Sequence, residues 1–251
     1  MKKAILLMVS MILMATGCKT NSVDSNKSTA SVVVIGVENS EWAGKCPGAH
    51  ADATRMADEF RKRFSNVKVL EDKRANKTAV RIALAKAARS DFMIVFYSGH
   101  GGSKHFSTTG DEEIDGNDEF LCLYDTIFKD DDIWYLISGC KGKVWLIFDC
   151  CHSETMFRTA GFGMGMVESS VFPLSKNNVN MLCWSGCADD TFSYGDKNGG
   201  KFTDAFLRNL DPNLTYDEMW DRMKNDQVLK SYEIIKQTKI GSGFDGKKIF
   251  E

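Results

Sequence analysis

The sequence predicts one α/β domain built on a mostly parallel β-sheet with helices on both faces. Short apolar runs rich in β-branched residues alternate along the chain with segments of helical periodicity, an order typical of parallel strands joined by helices. The chain has 251 residues, 43% of them hydrophobic, and only three prolines. It is therefore long and apolar enough to bury one sizeable core.

The first half of the domain shows this alternation clearly. Residues 32–37 (VVVIGV) form a continuous β-branched run that predicts a buried strand. Residues 50–64 place apolar side chains at the spacing of one helix face, and residues 67–72 (VKVLED) predict a short second strand. A strand, a helix and a second strand in this order are expected to form one parallel crossover unit.

The next elements repeat the pattern. A helix is expected over residues 76–89, where Asn76 offers a side-chain cap for the first turn. Apolar runs at residues 91–102 and 143–151 predict two further strands. Polar groups that follow such strands should meet at one edge of the sheet, since the carboxyl ends of parallel strands lie together.

The N-terminus predicts export. Two lysines precede a short apolar run, AILLMVSMILMA, which falls below the ~20 residues of a membrane span. The ending LMATGC resembles the lipobox of bacterial lipoproteins, in which Cys18 is lipidated. We expect a signal peptide at 1–17, a polar tether at 18–31 and the domain at 32–251, with the lipid anchoring the protein to the bacterial cell envelope, at the outer membrane or periplasmic face. Cleavage of a plain secretory signal near Ala15 is the alternative.

Charge and cysteine content limit the partners and the redox chemistry. The chain has 32 basic and 34 acidic residues and a net charge of −2, so we expect no nucleic-acid partner, and we expect a monomer. Of the eight cysteines, seven remain without the lipidated one, so at least one thiol is unpaired within the chain. A zinc site from Cys183 and Cys187 with Cys150, Cys151 and His152 is an alternative that lacks the usual CxxC knuckles.

A histidine and two cysteines follow predicted strands. His100 comes after MIVFYSG, and Cys150 and Cys151 come after VWLIF. A Cys/His pair at such an edge can perform nucleophilic catalysis, in which a thiolate attacks a carbonyl carbon and the imidazole transfers the proton. Adjacent strand residues point to opposite faces, so only one of the two cysteines can meet the histidine. The residues alone leave open which one.

Several segments, taken in order, resemble the caspase-like cysteine peptidases (clan CD, peptidase C14), specifically the metacaspase branch. The histidine motif is YSGHGG and the cysteine motif is DCCHS, close to the D-x-C-H-S-G of that branch. The similar segments are 46–53, 97–102, 115–125, 130–133, 149–153, 184–193 and 237–250. Two positions depart from the family pattern, with Glu154 in place of glycine and Thr191 in place of glutamine. The resemblance implies a caspase-like three-layer sandwich.

The resemblance also implies the catalytic roles. In D-x-C-H-S the nucleophile is the cysteine before the histidine, here Cys151, and its partner is His100. The backbone N–H groups of Gly101 and Cys151 are then the oxyanion donors. The implied activity is that of a cysteine endopeptidase acting on proteins or peptides. A catalytically silent caspase-like binding or scaffold module, and acyl transfer by the same pair, are the alternatives.

For the primary specificity pocket the resemblance implies Asp52, Ser98 and Asp149. Paired carboxylates can hold a guanidinium through charge-assisted hydrogen bonds, so the expected cleavage follows arginine or lysine. A structural alternative for Asp149 is that it caps a turn.

No cofactor is required for Cys/His chemistry, and Ca²⁺ is the one ion that the resemblance suggests. Asp115, Asp130 and Asp131 could supply hard oxygen ligands. The family's further calcium position, beyond the cysteine, falls near Arg158.

Overall fold

A six-stranded sheet forms the centre of the domain. The computed structural model describes residues 30–104, 118–150, 179–186, 195–230 and 235–251. The sheet strands are β1 (Ala30–Gly36), β4 (Val67–Glu71), β5 (Phe92–Ser98), β9 (Lys143–Asp149), β10 (Asn180–Ser185) and β13 (Lys236–Ile240). Their order across the sheet is β13-β10-β9-β5-β1-β4, and only β13 pairs antiparallel to its neighbour. The predicted mostly parallel sheet is confirmed.

Short strands outside this sheet shape its carboxyl edge. They are β2 (Asn39–Ser40), β3 (Gly44–Lys45), β6 (Gly101–Lys104), β7 (Asp118–Cys122), β8 (Ile127–Lys129), β11 (Gly195–Asp196) and β12 (Gly199–Gly200). Strands β2 and β3 form a hairpin, β6, β7 and β8 form a three-stranded antiparallel sheet, and β11 pairs with β12.

Helices cover both faces of the central sheet, as predicted. They are α1 (Ala49–Arg61), α2 (Lys77–Ala87), α3 (Asp130–Ile137), α4 (Lys201–Asn209), α5 (Tyr216–Lys224) and α6 (Gln227–Lys230). The Asn76 side chain accepts a hydrogen bond from Ala79 N (3.0 Å), which confirms the predicted cap of α2.

Strand alternation divides the core into two layers. Side chains such as Val95 and Leu146 face α2 and α3, whereas Phe96 and Ile147 face α1, α4 and α5. The alternation continues to the end of β9, where Cys150 is fully buried in the first layer. This alternation determines which polar groups of the carboxyl edge can meet.

Several predicted boundaries differ from the structure. The helix expected over 50–64 is α1 (Ala49–Arg61), and the strand expected over 143–151 is β9 (Lys143–Asp149). The strand expected over 91–102 ends at Ser98, because the next residues leave the central sheet and enter β6. Strand β1 begins at Ala30, inside the stretch assigned to the tether. The signal peptide, the rest of the tether and Cys18 lie outside the described residues. Among the helices that are described, none combines the length and the apolar character needed to cross a membrane.

Candidate active site

The His100 imidazole is held by a backbone carbonyl. Its Nε2–H donates to the carbonyl oxygen of Lys45 in β3 (2.8 Å). A carbonyl can only accept, so Nε2 carries the proton and Nδ1 is the basic nitrogen of the neutral ring. The hairpin that presents this carbonyl is anchored by Ser40, whose Oγ donates to the carbonyl of Leu123 (2.8 Å). The histidine is thus oriented with one nitrogen available to accept a proton.

The peptide between His100 and Gly101 is fixed by two donors. The His100 carbonyl accepts from Cys122 N (2.9 Å) and from the Tyr97 hydroxyl (2.7 Å). The bond from Cys122 flanks the Gly101–Leu121 pair and makes it a non-hydrogen-bonded pair of the antiparallel ladder. In a trans peptide the N–H points opposite to the carbonyl. The Gly101 N–H therefore points away from β7.

Tyr97 reaches the histidine peptide from inside the core. The side chain is fully buried, and its hydroxyl lies 2.7 Å from the carbonyl oxygen of His100 and 2.8 Å from that of Cys122. Burial raises the pKa of this phenol well above its usual value. The hydroxyl consequently remains a neutral donor at physiological pH.

Asp52, Ser98 and Asp149 come together on the side of the sheet covered by α1 and α4. The Ser98 Oγ donates to Asp52 Oδ2 (2.9 Å), and Ser98 pairs with Asp149 across β5 and β9. Asp52 lies in the first turn of α1, which starts after Gly48 in the left-handed region (φ 97°). Both carboxylates are almost completely buried, with 2% and 4% exposure.

The Asp52 carboxyl is electrostatically unusual. Burial raises its pKa to about 7, and repulsion from Asp149 contributes in the same direction. Hydrogen bonds from Gly200 N (3.0 Å to each oxygen), from Ser98 and from Arg55 Nη2 (2.7 Å) lower it in part. Desolvation and a like charge thus outweigh the donors that favour the ionised form.

Asp149 caps helix α4 from a distant strand. Its Oδ2 accepts from Thr203 N (3.0 Å) and from Thr203 Oγ1 (2.7 Å). Thr203 is in the first turn of α4, where backbone N–H groups lack partners within the helix. Asp149 therefore has a structural capping role at α4, whereas the turn after β9 lies outside the described residues.

Gly200 inserts its backbone between the two carboxylates. A Cβ atom at this position would overlap Asp149, and one at Gly199 would overlap Asp52 and Arg55. The β12–α4 junction therefore approaches both carboxylates more closely than a side-chain-bearing residue would allow.

The structure describes only part of the predicted cysteine pair and of the predicted calcium ligands. Cys150 lies in the apolar core, whereas Cys151 lies outside the described residues, as does Asp115. Asp130 and Asp131 begin α3, where the buried Asp130 accepts the N–H of Asp131 (2.9 Å). Across the described ranges, no three His, Cys, Asp or Glu side chains gather in a way that could hold a metal ion. Because Asp115 lies outside the described residues, the calcium site stays a prediction.

Sequence reasoning missed several groups that contact the predicted site residues. They include the Lys45 carbonyl, the Tyr97 hydroxyl, the Arg55 guanidinium, the Gly199–Gly200 backbone and Thr203. Only Arg55 had a local signal, since it lies three residues after Asp52 on the predicted helix, at a spacing that brings side chains together.

The fold and this edge of the sheet define a caspase-like α/β domain. The family model described as the caspase domain matches residues 29–240. The chain therefore belongs to the caspase-domain family of cysteine peptidases.

Two solved structures illustrate the fold. Protein GSU0716 from Geobacter sulfurreducens is 23% identical, with a TM-score of 0.68 over 89% of this chain and 100% of that chain. Caspase-1 from Spodoptera frugiperda is 14% identical, with a TM-score of 0.57 over 90% of this chain and 92% of that chain. None of the curated proteins matches.

The raised pKa of Asp52 predicts a pH-dependent cost in stability. Its folded pKa is about 7 against the ordinary 3.8, so the folded chain binds more protons than the unfolded chain between these values. The stabilisation that comes from this extra bound proton is fully present below pH 3.8 and is lost as the pH rises through about 7. We expect Asp52→Asn to lose less stability than the wild type between pH 5 and pH 8, measured by urea unfolding.

Asp58→Asn is the matched control, because Asp58 is an exposed carboxylate on the same helix that pairs with Arg61 (3.0 Å). It should keep the wild-type pH dependence. Equal pH dependence for Asp52→Asn and the wild type would show that Asp52 does not carry the raised pKa.

Proposed function

We propose that the domain is a cysteine endopeptidase that hydrolyses peptide bonds after arginine or lysine through Cys151 and His100. The family supports the cysteine peptidase class. The observation that carries the specificity is the buried pair Asp52 and Asp149, next to the strand end that bears the histidine. Buried negative charge favours a cationic side chain and penalises an anionic one.

The proposed mechanism uses the basic nitrogen of His100. Nδ1 accepts the proton of the Cys151 thiol, and the thiolate attacks the carbonyl carbon of the scissile peptide. The N–H of Gly101 donates to the resulting oxyanion. Collapse of this intermediate breaks the C–N bond, and the imidazolium gives its proton to the leaving amine. Water then hydrolyses the thioester and regenerates the thiol.

The first test concerns the paired cysteines. We expect Cys151→Ala to abolish hydrolysis of a fluorogenic arginyl peptide and Cys150→Ala to keep most of kcat, because the Cys150 side chain packs in the α2–α3 layer. The assay includes a reductant, which prevents a Cys150–Cys151 disulfide. Loss of activity in a normally folded Cys150→Ala variant would show that Cys151 is the wrong choice of nucleophile. Full activity in Cys151→Ala would show that Cys151 is not the nucleophile and would overturn the proposed mechanism.

The second test concerns the charge of the pocket. We expect Asp52→Asn and Asp149→Asn each to reduce kcat/KM on arginyl peptides by about 30-fold or more, since loss of one partner of a buried charged contact costs ~2 to 5 kcal/mol. Lysyl peptides should be cleaved less efficiently than arginyl peptides, because an ammonium cannot form a planar fork with both carboxylates.

The control for the second test is Thr203→Val, which removes the hydroxyl that donates to Asp149 and keeps both charges. It should lower stability and leave the preference for arginine intact. A preference of the wild type for aspartyl peptides, or full arginyl activity in both asparagine variants, would contradict the proposed specificity.

The third test concerns the hydroxyl that orients the oxyanion donor. We expect Tyr97→Phe to lower kcat roughly 3- to 30-fold with little change in KM, because an oxyanion donor acts mainly on the transition state. Tyr216→Phe is the control. Tyr216 is also buried, but it lies on α5 in the opposite core layer, where its hydroxyl accepts from Phe250 N (3.1 Å). An equal loss of kcat in both variants would indicate a general effect of core destabilisation.

A further inference from the structure

We propose that Arg55 is a specificity-determining residue of the acidic pocket: its guanidinium occupies the cation position on Asp52, and a substrate cation binds by displacing it. This inference rests on the proposed function and adds a competitor from the chain itself. Arg55 lies one helical turn after Asp52 on α1, and its Nη2 donates to Asp52 Oδ1 (2.7 Å). Its Nη1 donates to Asp204 on α4.

The oxygens of Asp52 are already fully engaged. Oδ1 accepts from Arg55 and from Gly200 N (3.0 Å), and Oδ2 accepts from Ser98 Oγ (2.9 Å) and from the same Gly200 N–H (3.0 Å). A carboxylate offers about four lone-pair sites. A substrate guanidinium can therefore bond to Asp52 only if one of these donors withdraws.

Arg55 is the donor that can withdraw. The Gly200 N–H belongs to the backbone at the start of α4, so it cannot withdraw without moving that element. Ser98 is a short side chain, 3% exposed, at the end of a central strand, so its hydroxyl can rotate but cannot leave the site. The arginine side chain rotates on a flexible stem and is 36% exposed. Displacement of Arg55 therefore requires a change of rotamers and no rearrangement of the sheet.

Asp204 gives the displaced guanidinium a partner. This carboxylate is 34% exposed and already contacts Arg55, so Arg55 can leave Asp52 and remain paired at the surface. In its present position the Arg55 Nε atom is buried and has no hydrogen-bond partner among the described residues. An unsatisfied buried donor weakens the closed arrangement. The exchange consequently moves Arg55 from a position where one donor is unsatisfied to a solvated one.

The consequence for binding is a competition between two cations. A substrate arginine can bond to Asp52 only after the hydrogen bond between Asp52 and Arg55 is broken. Arg55 therefore lowers the apparent affinity for every cationic side chain. A guanidinium replaces the lost hydrogen bond with the same planar geometry. An ammonium replaces it less completely, which strengthens the preference for arginine over lysine.

The test compares Arg55→Gln with Arg61→Gln. Arg61 is on the same helix and pairs with Asp58 at the same i,i+3 spacing, but both side chains are exposed at the surface. Two quantities are measured for each variant and the wild type: KM and kcat on a fluorogenic arginyl peptide, and the Kd of agmatine by calorimetry in the Cys151→Ala background. Agmatine carries the guanidinium without a scissile bond, so its binding does not depend on turnover.

We expect Arg55→Gln to lower KM and the agmatine Kd together by about 3- to 10-fold, the range expected for loss of one half-exposed ion pair, with kcat changed less than about twofold. Arg61→Gln should match the wild type. Arg55→Lys, which keeps the charge and loses the fork that reaches both carboxylates, should lie between the wild type and Arg55→Gln. This second variant also keeps the test decisive if Arg55→Gln unfolds, which thermal unfolding will reveal.

The outcomes separate the two proposals. Arginyl hydrolysis by the wild type with unchanged or raised KM and agmatine Kd in Arg55→Gln would overturn the role of Arg55 and leave the proposed function standing. Tighter agmatine binding in Arg55→Gln without arginyl hydrolysis by the wild type would support the role of Arg55 and overturn the proposed peptidase specificity. No measurable agmatine binding by the wild type or either Arg55 variant would overturn the role of Arg55.

Discussion

Two carboxylates buried side by side at the carboxyl edge of the sheet constrain the rest of this site. Burying one carboxylate is costly unless donors surround it, and burying two adjacent ones adds mutual repulsion. The chain supplies donors from three separate elements: the Ser98 hydroxyl at the end of β5, the Gly200 N–H, and the Thr203 N–H and hydroxyl on α4. The same contacts join α1 and α4 to the central sheet, so the acidic cluster is also a structural junction.

The alternation of side chains along the strands divides the work of the site between two layers. Ser98 and Asp149 face α1 and α4 and form the acidic cluster. Tyr97 and Cys150 face the opposite layer, from which the Tyr97 hydroxyl orients the peptide after His100. In the proposed function, substrate selection and orientation of the reacting groups therefore depend on different parts of the core. Substitutions in the two layers are therefore expected to act on different kinetic parameters.

Local patterns in the sequence were sufficient for much of the fold. Apolar runs and helical spacing predicted most of the central strands and the first two helices. The meeting of strand ends predicted that His100 lies near the cysteines that follow the next strand, whereas the grouping of Asp52, Ser98 and Asp149 came from the family resemblance. The contacts that complete the site join residues far apart in the chain, such as Arg55 and Asp204, which are separated by 149 positions. The helix and strand periodicities of a sequence report only local spacing, so they cannot predict a contact between residues so far apart. Strands β10 and β13 and helices α4 and α5 were likewise not predicted, although β10 and α4 border the site.

The exchange proposed for Arg55 would address the central electrostatic difficulty of the acidic cluster. Burial and the charge of Asp149 both favour protonation of Asp52, and a protonated carboxyl would hold a cation weakly. While Arg55 is bound, the ionised form of Asp52 is stabilised before any substrate arrives. The incoming guanidinium then takes over this stabilisation, so the buried carboxylate does not stand uncompensated at either end of the exchange. The internal cation that weakens substrate binding is thus also one of the three donors that favour the ionised form of Asp52.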